Sequence, residues 1–195
     1  MVTTAPPEAP RTNEIHPTAR SPYGSAMPEL QRLRPDHAPA LLTFEQENRT
    51  YFAASVPDRG DAYFTDFAAQ LTARLTEQAA GICHFHLLVD PDGEVLGRFN
   101  LVDIADGSAD LGFRVAEKAT RRGLATATVL HLCTLAATEY GLTTLRAAAA
   151  LENTASRTVL TRAGFVPTGE EVQLSGRPGL GYVRDLSRGP KDGAR

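Results

Sequence analysis

The chain has 195 residues, a net charge of −3, and a composition of 42% hydrophobic and 22% charged residues, which fits one globular domain with a single core. The charge balance gives no overall electrostatic reason to expect nucleic-acid binding. No apolar run reaches the roughly 20 residues that cross a membrane, and the first 25 residues lack a secretory apolar segment, so we expect a cytoplasmic protein without direct nucleic-acid or membrane contact.

The two ends of the chain differ in composition from its middle. Residues 1–27 contain five prolines and no periodic apolar pattern, which is typical of a flexible tail. Residues 187–195 are similarly polar. We therefore predict one folded domain over 28–186, with a tail on each side.

The first part of this domain reads as one strand and two helices. Glu29–Arg34 alternates like a short strand, and 37–54 has a helical pattern. A loop over 56–61 precedes a second helix at 62–80, whose apolar residues recur at spacings of three and four: Phe64, Phe67, Leu71 and Leu75.

The centre of the chain favours strands. Segments 82–89, 94–104 and 109–115 are strand-like and are separated by the turn-rich stretches 90–93 and 105–108. This pattern predicts a three-stranded antiparallel meander.

The last third alternates helices and strands. Helices are expected at 122–140 and 154–163, and strands at 145–151, 171–174 and 182–186. The element order is then β-α-α-β-β-β-α-β-α-β-β. It indicates a mixed α/β fold with a mostly antiparallel sheet of six to seven strands, flanked by about four helices.

The segment from Thr120 to Thr126 joins a strand to a helix and is basic and glycine-containing. A helix start offers unpaired N–H groups and a positive dipole end, which favour a phosphate. Arg121 and Arg122 add charge, and Gly123 permits close backbone approach. The segment is neither a Walker loop nor a dinucleotide fingerprint. Taken alone, it also fits a helix start with solvated arginines.

A second motif follows at 152–165, with Asn153, Ser156 and the pair Gly164-Phe165. Together the two motifs resemble those of the GNAT superfamily of acetyltransferases, whose loop reads Q/R-x-x-G-x-G/A. The resemblance covers roughly 28–186. It looks closest to the branch of ribosomal-protein-alanine N-acetyltransferases.

This resemblance implies acetyl-CoA as the acyl donor, with no metal, and direct transfer of an acetyl group to a primary amine. It places the donor site on residues of the strand before the loop, the loop itself and the later motif: Phe113, Arg114, Val115, Arg121, Arg122, Gly123, Leu124, Ala125, Thr126, Asn153 and Ser156. Thr120 departs from the Q/R position of the loop, which moves the expected contacts from side chain to backbone amides.

Four residues are candidates for catalysis. Many members of the family have a tyrosine where this chain has Leu160, and the ribosomal branch uses a serine, which makes Ser156 the expected proton donor to the leaving thiolate. Asp110 is the first choice for the base, and Glu152 and Glu171 are rivals. Each has a simpler reading: Asn153 and Ser156 fit a helix cap, and Asp110 fits a solvated aspartate at a sheet edge.

The acceptor amine is expected to bind at the end of the first helix, on Glu47, Asn48, Arg49, Tyr51 and Phe52, and on the 56–61 loop. Tyr51 and Phe52 equally fit a core. His84 and His86 share one strand face but lack further metal ligands, so we take them as structural. Cys83 and Cys133 are expected to be buried free thiols.

The most favoured acceptor is a protein N-terminal α-amine, such as that of a ribosomal protein. A small amine (an aminoglycoside or a polyamine) is the alternative substrate, and a non-catalytic acyl-CoA sensor is the alternative function. We expect a monomer or homodimer. The sequence leaves these alternatives open.

Overall fold

The computed structural model describes residues 27–187, so the two predicted tails lie almost wholly outside the described residues. Residues 27–187 form seven strands and six α-helices, with 3₁₀ turns at Pro35–His37 and Glu117–Ala119. In chain order the elements are β1 Glu29–Arg32, α1 Ala38–Glu47, α2 Arg49–Ala53, α3 Asp61–Thr65, α4 Phe67–Ala79, β2 His84–Val89, β3 Val95–Ala105, β4 Ser108–Val115, α5 Leu124–Thr138, β5 Thr144–Ala150, α6 Thr154–Arg162, β6 Val166–Leu174 and β7 Arg177–Asp185. No described helix is long and apolar enough to cross a membrane.

All seven strands form one sheet in the order β1-β2-β3-β4-β5-β7-β6. Every neighbouring pair is antiparallel except β4 and β5, which run parallel. This confirms the mixed α/β class and the mostly antiparallel sheet. The connection from β4 to β5 passes through α5, as a parallel pair requires.

Helices cover both faces of the sheet. On α5 the buried residues recur at spacings of three and four, and Val129, Leu132, Cys133 and Ala136 are at most 2% exposed. Arg98 on β3 forms an ion pair with Glu45 on α1, so α1 lies on the opposite face. Because both faces are covered, β2 is buried along almost its whole length.

Both helices predicted before the meander are interrupted. The first breaks at Asn48, which lies between α1 and α2. The Asn48 side chain donates to Phe44 O and accepts from Glu117 N, both at 2.9 Å. Such side-chain bonds compete with the helix. The second helix breaks at Asp66, a residue of low helix propensity.

The last two strands are longer than predicted and form one hairpin. Ser175 and Gly176 connect them, both with positive φ, at 52° and 84°. That is the geometry of a tight two-residue hairpin turn. The hairpin makes β7 the neighbour of β5 and places β6 at the edge of the sheet.

Candidate active site

The parallel strands β4 and β5 pair only where they begin. Ser108, Ala109 and Asp110 pair with Thr144, Leu145 and Arg146, and no pairing continues beyond Asp110. A cleft of about 290 Å³ opens at this separation. We call it the central cleft. Its lining residues come from β4, the loop before α5, the first turns of α5, α6, and α2 with the loop that follows it.

The separation leaves backbone groups of β4 without a strand partner. Ala116 N donates to Leu96 O of β3 at 2.9 Å. Since amide directions alternate along a strand, the N–H groups of Phe113 and Val115 point away from β3 and towards the separation. Pairing between β3 and β4 is regular from Asp110 to Val115, so divergence from β5, and not a bulge, presents these donors to the cleft.

The α5 helix begins at the cleft without a side-chain cap. Gly123 is the N-cap, with φ of 75°, and the first helical bond runs from Ala127 N to its carbonyl oxygen at 3.1 Å. The preceding N–H groups, those of Leu124, Ala125 and Thr126, therefore have no acceptor within the helix. A Cβ added at Gly123 would meet nothing within 4 Å, so a ligand can approach the backbone here.

Two arginines of this loop are free to bind an anion. Arg121 and Arg122 are exposed and form no ion pair with any residue from 27 to 187. Arg121 lines the cleft, whereas Arg122 does not. Thr120 donates its hydroxyl to Glu117 O at 2.7 Å, which orders the loop locally. Exposed N–H groups, a helix dipole and a free guanidinium suit a pyrophosphate.

On the far side of the cleft, α6 presents one face. Asn153 caps the helix, and its Oδ1 accepts from Ser156 N at 3.0 Å. The Ser156 hydroxyl lines the cleft and makes no hydrogen bond with any described residue. Leu160 is 1% exposed and belongs to the core.

Sequence analysis missed the rest of this helix face. Ala155, Thr158, Val159 and Arg162 also line the cleft. Thr158 and Val159 follow Ala155 by three and four positions, and Arg162 follows them by four and three, which is the signal that would have identified this face.

The predicted acceptor residues separate into three groups. Tyr51 and Phe52 line the central cleft, together with Val56 of the predicted acceptor loop and with Ser55, which sequence analysis had not identified. Asn48 is buried and joins α1 to the loop before α5. Arg49 binds Asp58 at 2.5 Å and Asp61 at 2.7 Å, which fixes the loop at the cleft's edge.

The remaining predicted residues lie outside the cleft. Glu47 is exposed and does not line it. Asp110 forms an ion pair with Arg146 at 2.6 Å, and it lies about 10 Å along β4 from Phe113. Glu171 is exposed on β6, the edge strand. The structure therefore does not bring either of these predicted bases to the site.

Arginines supply all the charge on the lining of the central cleft. These are Arg114, Arg121 and Arg162. Of the described residues, no aspartate, glutamate or histidine lines the cleft. The lining can thus hold anions and donate hydrogen bonds, but it includes no side chain of the usual general-base type. Glu152, the other rival base, lies in an adjoining pocket that shares Ser55 and Asn153 with the cleft, and it pairs with Arg177 at 2.6 Å.

The two histidines predicted to be structural lie away from the cleft, beside Tyr140. His86 Nε2 lies 2.8 Å from Tyr140 Oη, and the His84 ring stacks on the Tyr140 ring at 3.7 Å. Within 27–187 no three His, Cys, Asp or Glu side chains are grouped as metal ligands. Cys83 and Cys133 are buried free thiols, as predicted.

Solved structures with the same fold include enzymes that act on different amines. A ribosomal-protein-S5-alanine acetyltransferase from Vibrio fischeri superposes with a TM-score of 0.77 at 16% identity, over 84% of this chain and 96% of its own. Mycobacterium smegmatis RimJ, in complex with CoA-disulfide, superposes with a TM-score of 0.75 at 23% identity, over 83% of each chain. A spermidine N-acetyltransferase from Vibrio cholerae, in complex with CoA and spermine, superposes with a TM-score of 0.69 at 15% identity, over 83% of this chain and 97% of its own.

At these identities the superpositions show a shared fold. No curated protein sequence matches the chain at a significant level. The family model of the acetyltransferase (GNAT) domain, however, matches residues 29–166, which contain β4, the loop before α5, and α6. The chain therefore belongs to the GNAT acetyltransferases, N-acetyltransferases that use acetyl-CoA as the acyl donor.

Proposed function

We propose that this enzyme acetylates a protein N-terminal α-amine, such as that of a ribosomal protein. The observation that carries the proposal is the charge of the central cleft, which is lined by three arginines and by no acidic residue or histidine from the described part of the chain. The similarity in fold to ribosomal-protein acetyltransferases supports it.

Because no base lines the cleft, the reactivity of an acceptor depends on the pKa of its own amine. Only a neutral amine attacks a thioester. An α-amine has a pKa near 7.8, so roughly a quarter of it is neutral at pH 7.4, whereas roughly one lysine-type amine in a thousand is neutral. A cleft without a carboxylate therefore favours α-amines. Its arginines also repel polyamines, which carry several positive charges.

The donor is assigned to the side of the cleft formed by α5 and α6. There the N–H groups of Leu124, Ala125 and Thr126, with Arg121, would hold the pyrophosphate. The Nδ2 of Asn153 makes no hydrogen bond within the described chain, and it would donate to the pantetheine arm. Bound acetyl-CoA supplies the acetyl thioester.

Protein groups around the reacting atoms have separate tasks. The N–H groups of Phe113 and Val115 donate to the thioester oxygen as it gains negative charge. The amine nitrogen forms the new C–N bond while the C–S bond breaks, and the amine proton passes to water in the open cleft. The Ser156 hydroxyl donates its proton to the departing sulfur and regains one from water.

The proposal is tested by thiol release from acetyl-CoA with three acceptors: an N-terminal peptide, an Nα-blocked lysine peptide and spermidine. We expect the N-terminal peptide to have the highest kcat/KM, and the rate to rise with pH until the peptide's own α-amine is neutral. Faster turnover of spermidine or of the blocked peptide would show that the acceptor is a different amine. CoA binding without turnover on any amine would contradict catalysis itself.

A further inference from the structure

A buried glutamate behind the central cleft is surrounded by three arginines. Glu45 on α1 has a side chain only 2% exposed, and its Oε1 lies 2.9 Å from Arg98 Nη1. Its Oε2 lies 3.5 Å from Arg114 Nη1 and 3.5 Å from Arg59 Nε. We call these four residues the Glu45 cluster. One carboxylate faces three guanidinium groups, so the cluster carries two surplus positive charges.

Neighbouring acids do not supply the missing negative charge. Asp58 and Asp61, the acids on the adjacent loop and helix, both bind Arg49. Arg59 Nε is buried and has no hydrogen-bond partner among residues 27–187. An unpartnered guanidinium atom in a buried position costs free energy, so Glu45 offsets the positive charge of Arg59 only in part.

Aromatic rings orient the surplus guanidinium groups without neutralising them. Arg59 lies over the Tyr63 ring at 4.5 Å, and Arg114 lies over the Phe52 ring at 5.3 Å. Burial, together with the neighbouring Arg59, lowers the pKa of Arg114, which is the sign of an incompletely neutralised cation. Arginine stays protonated in proteins, so the positive charge persists at neutral pH.

The cluster reaches the central cleft on the side assigned to the acceptor. Arg114 and Phe52 both line the cleft. In β4, Arg114 lies between Phe113 and Val115, the two residues whose N–H groups face the reacting carbonyl. One residue of strand spans about 3.3 Å, so a group bound at Arg114 lies within one or two residues of the reacting amine. Arg114 and Arg59 remain 22% and 27% exposed. Arg59 lines an adjoining pocket that shares Phe52 and Arg114 with the central cleft.

We propose that the acceptor is an acidic N-terminal segment, whose first or second residue carries a carboxylate that binds Arg114 and Arg59. This inference rests on the proposed function and specifies its substrate class. Guanidinium groups form charge-assisted hydrogen bonds with carboxylates, and the partly exposed side chains of Arg114 and Arg59 lie on either side of Glu45 Oε2, each 3.5 Å from it. The same charges disfavour an acceptor with lysine or arginine at these positions.

The experiment compares peptides that differ only in the charge of the second residue. Amidated tetrapeptides with aspartate, asparagine or lysine after an N-terminal serine are given to the wild-type enzyme with acetyl-CoA. We expect the aspartate peptide to exceed the asparagine peptide about tenfold in kcat/KM, and the lysine peptide to be slowest. Free aspartate, which bears an α-carboxylate as well, tests whether the carboxylate must belong to a peptide.

A matched pair of variants locates the preference. Arg59→Gln should reduce the aspartate-to-asparagine ratio to about one. Arg74→Gln removes the same charge from α4, outside the Glu45 cluster, where Arg74 pairs with Glu77, and it should keep the wild-type ratio. If both variants lowered the aspartate-to-asparagine ratio equally, the preference would arise from the overall charge of the protein. That result would overturn the assignment of the carboxylate to Arg114 and Arg59.

The peptide comparison remains decisive even if Arg59→Gln does not fold. Equal rates on all three peptides would overturn the acidic-acceptor inference and leave α-amine acetylation intact. Free aspartate as the best acceptor would overturn the peptide assignment. Activity on spermidine without activity on any peptide would overturn the proposed function, and the inference with it.

Discussion

The side-chain oxygen of Asn153 accepts a hydrogen bond from the backbone N–H of Ser156 at 3.0 Å. Asn153 is thus the N-cap of α6, the simpler of the two roles considered from the sequence. The bond uses only the Oδ1 atom, so the amide Nδ2 can still donate to a ligand. The structural and the ligand-binding roles are therefore compatible and belong to different atoms of one side chain.

Substitution of Asn153 can separate these two roles. Asp is as good an N-cap as Asn, so Asn153→Asp should keep the free energy of unfolding within about 0.5 kcal/mol, whereas Asn153→Ala should lose about 1 kcal/mol. Both variants lack the Nδ2 donor and should bind CoA more weakly. Urea unfolding and CoA titration measure the two effects. Wild-type CoA affinity in Asn153→Asp would limit the residue to capping.

Gly123→Ala should weaken CoA binding about tenfold. The new Cβ would enter the open space before the α5 helix, where the pyrophosphate is proposed to lie. Gly93→Ala is the matched control, because Gly93 also has a positive φ, of 86°, with nothing within 4 Å of an added Cβ, but it lies in the β2–β3 turn. Both variants should lose about 1 kcal/mol of stability. Equal CoA affinities would place the pyrophosphate elsewhere.

Ser156→Ala should lower kcat about a hundredfold, with little change in the KM for acetyl-CoA. The reason is that its hydroxyl is proposed to protonate the leaving sulfur, a step that follows binding. Thr161→Ala is the control, since Thr161 lies on the same helix but donates to Arg157 O at 3.0 Å. A kcat for Ser156→Ala within twofold of that of Thr161→Ala would remove the serine from the mechanism.

Mild acid should destabilise the protein through His86. Burial lowers the pKa of His86 to about 4, and His84 adds to the effect. The unfolded chain takes this proton near pH 6.5, so between pH 6.5 and 4 the unfolded state binds more protons than the folded state. The stability that neutral His86 gives the folded state is complete above pH 6.5 and is lost as the pH falls. The free energy of unfolding should therefore decrease by about 1 kcal/mol between pH 7.5 and 5.5.

His84, Tyr140 and Arg32 lie around His86. A His86→Gln variant removes the buried imidazole and keeps these three neighbouring side chains. Urea unfolding at pH 7.5 and 5.5 should therefore show a smaller loss of stability for His86→Gln than for wild type. Equal losses would assign the acid sensitivity to other groups.

The sequence predicted the order of elements because the strands and helices have clear periodicities. It did not predict the break at Asn48, because that residue's partner Glu117 lies 69 positions away. It also made Asp110 the first choice for the base, although Asp110 lies about 10 Å along β4 from Phe113. Alternation in the sequence predicts which face of a strand a residue occupies, but not which end of the strand lies at the cleft. The separation of β4 from β5 after Asp110 determines that Phe113, Arg114 and Val115 line it.

The buried Glu45 was missed for a similar reason. Within α1 it looks like an ordinary exposed glutamate, and its burial depends on Arg98 and Arg114, 53 and 69 positions away. The lining of the cleft by α6 was predicted only in part, although its helical spacing was present in the sequence. Long-range pairing and strand divergence account for the remaining differences.

The short pairing between β4 and β5 has a mechanical consequence. Three register pairs, the fewest between neighbouring strands in the described part of the chain, join a four-stranded half of the sheet to a three-stranded half. A donor that contacts β4 on one side and α6 on the other would fasten the two halves together. Acetyl-CoA should then slow amide hydrogen exchange along β5 and β7, so that the substrate also serves as a structural crosslink.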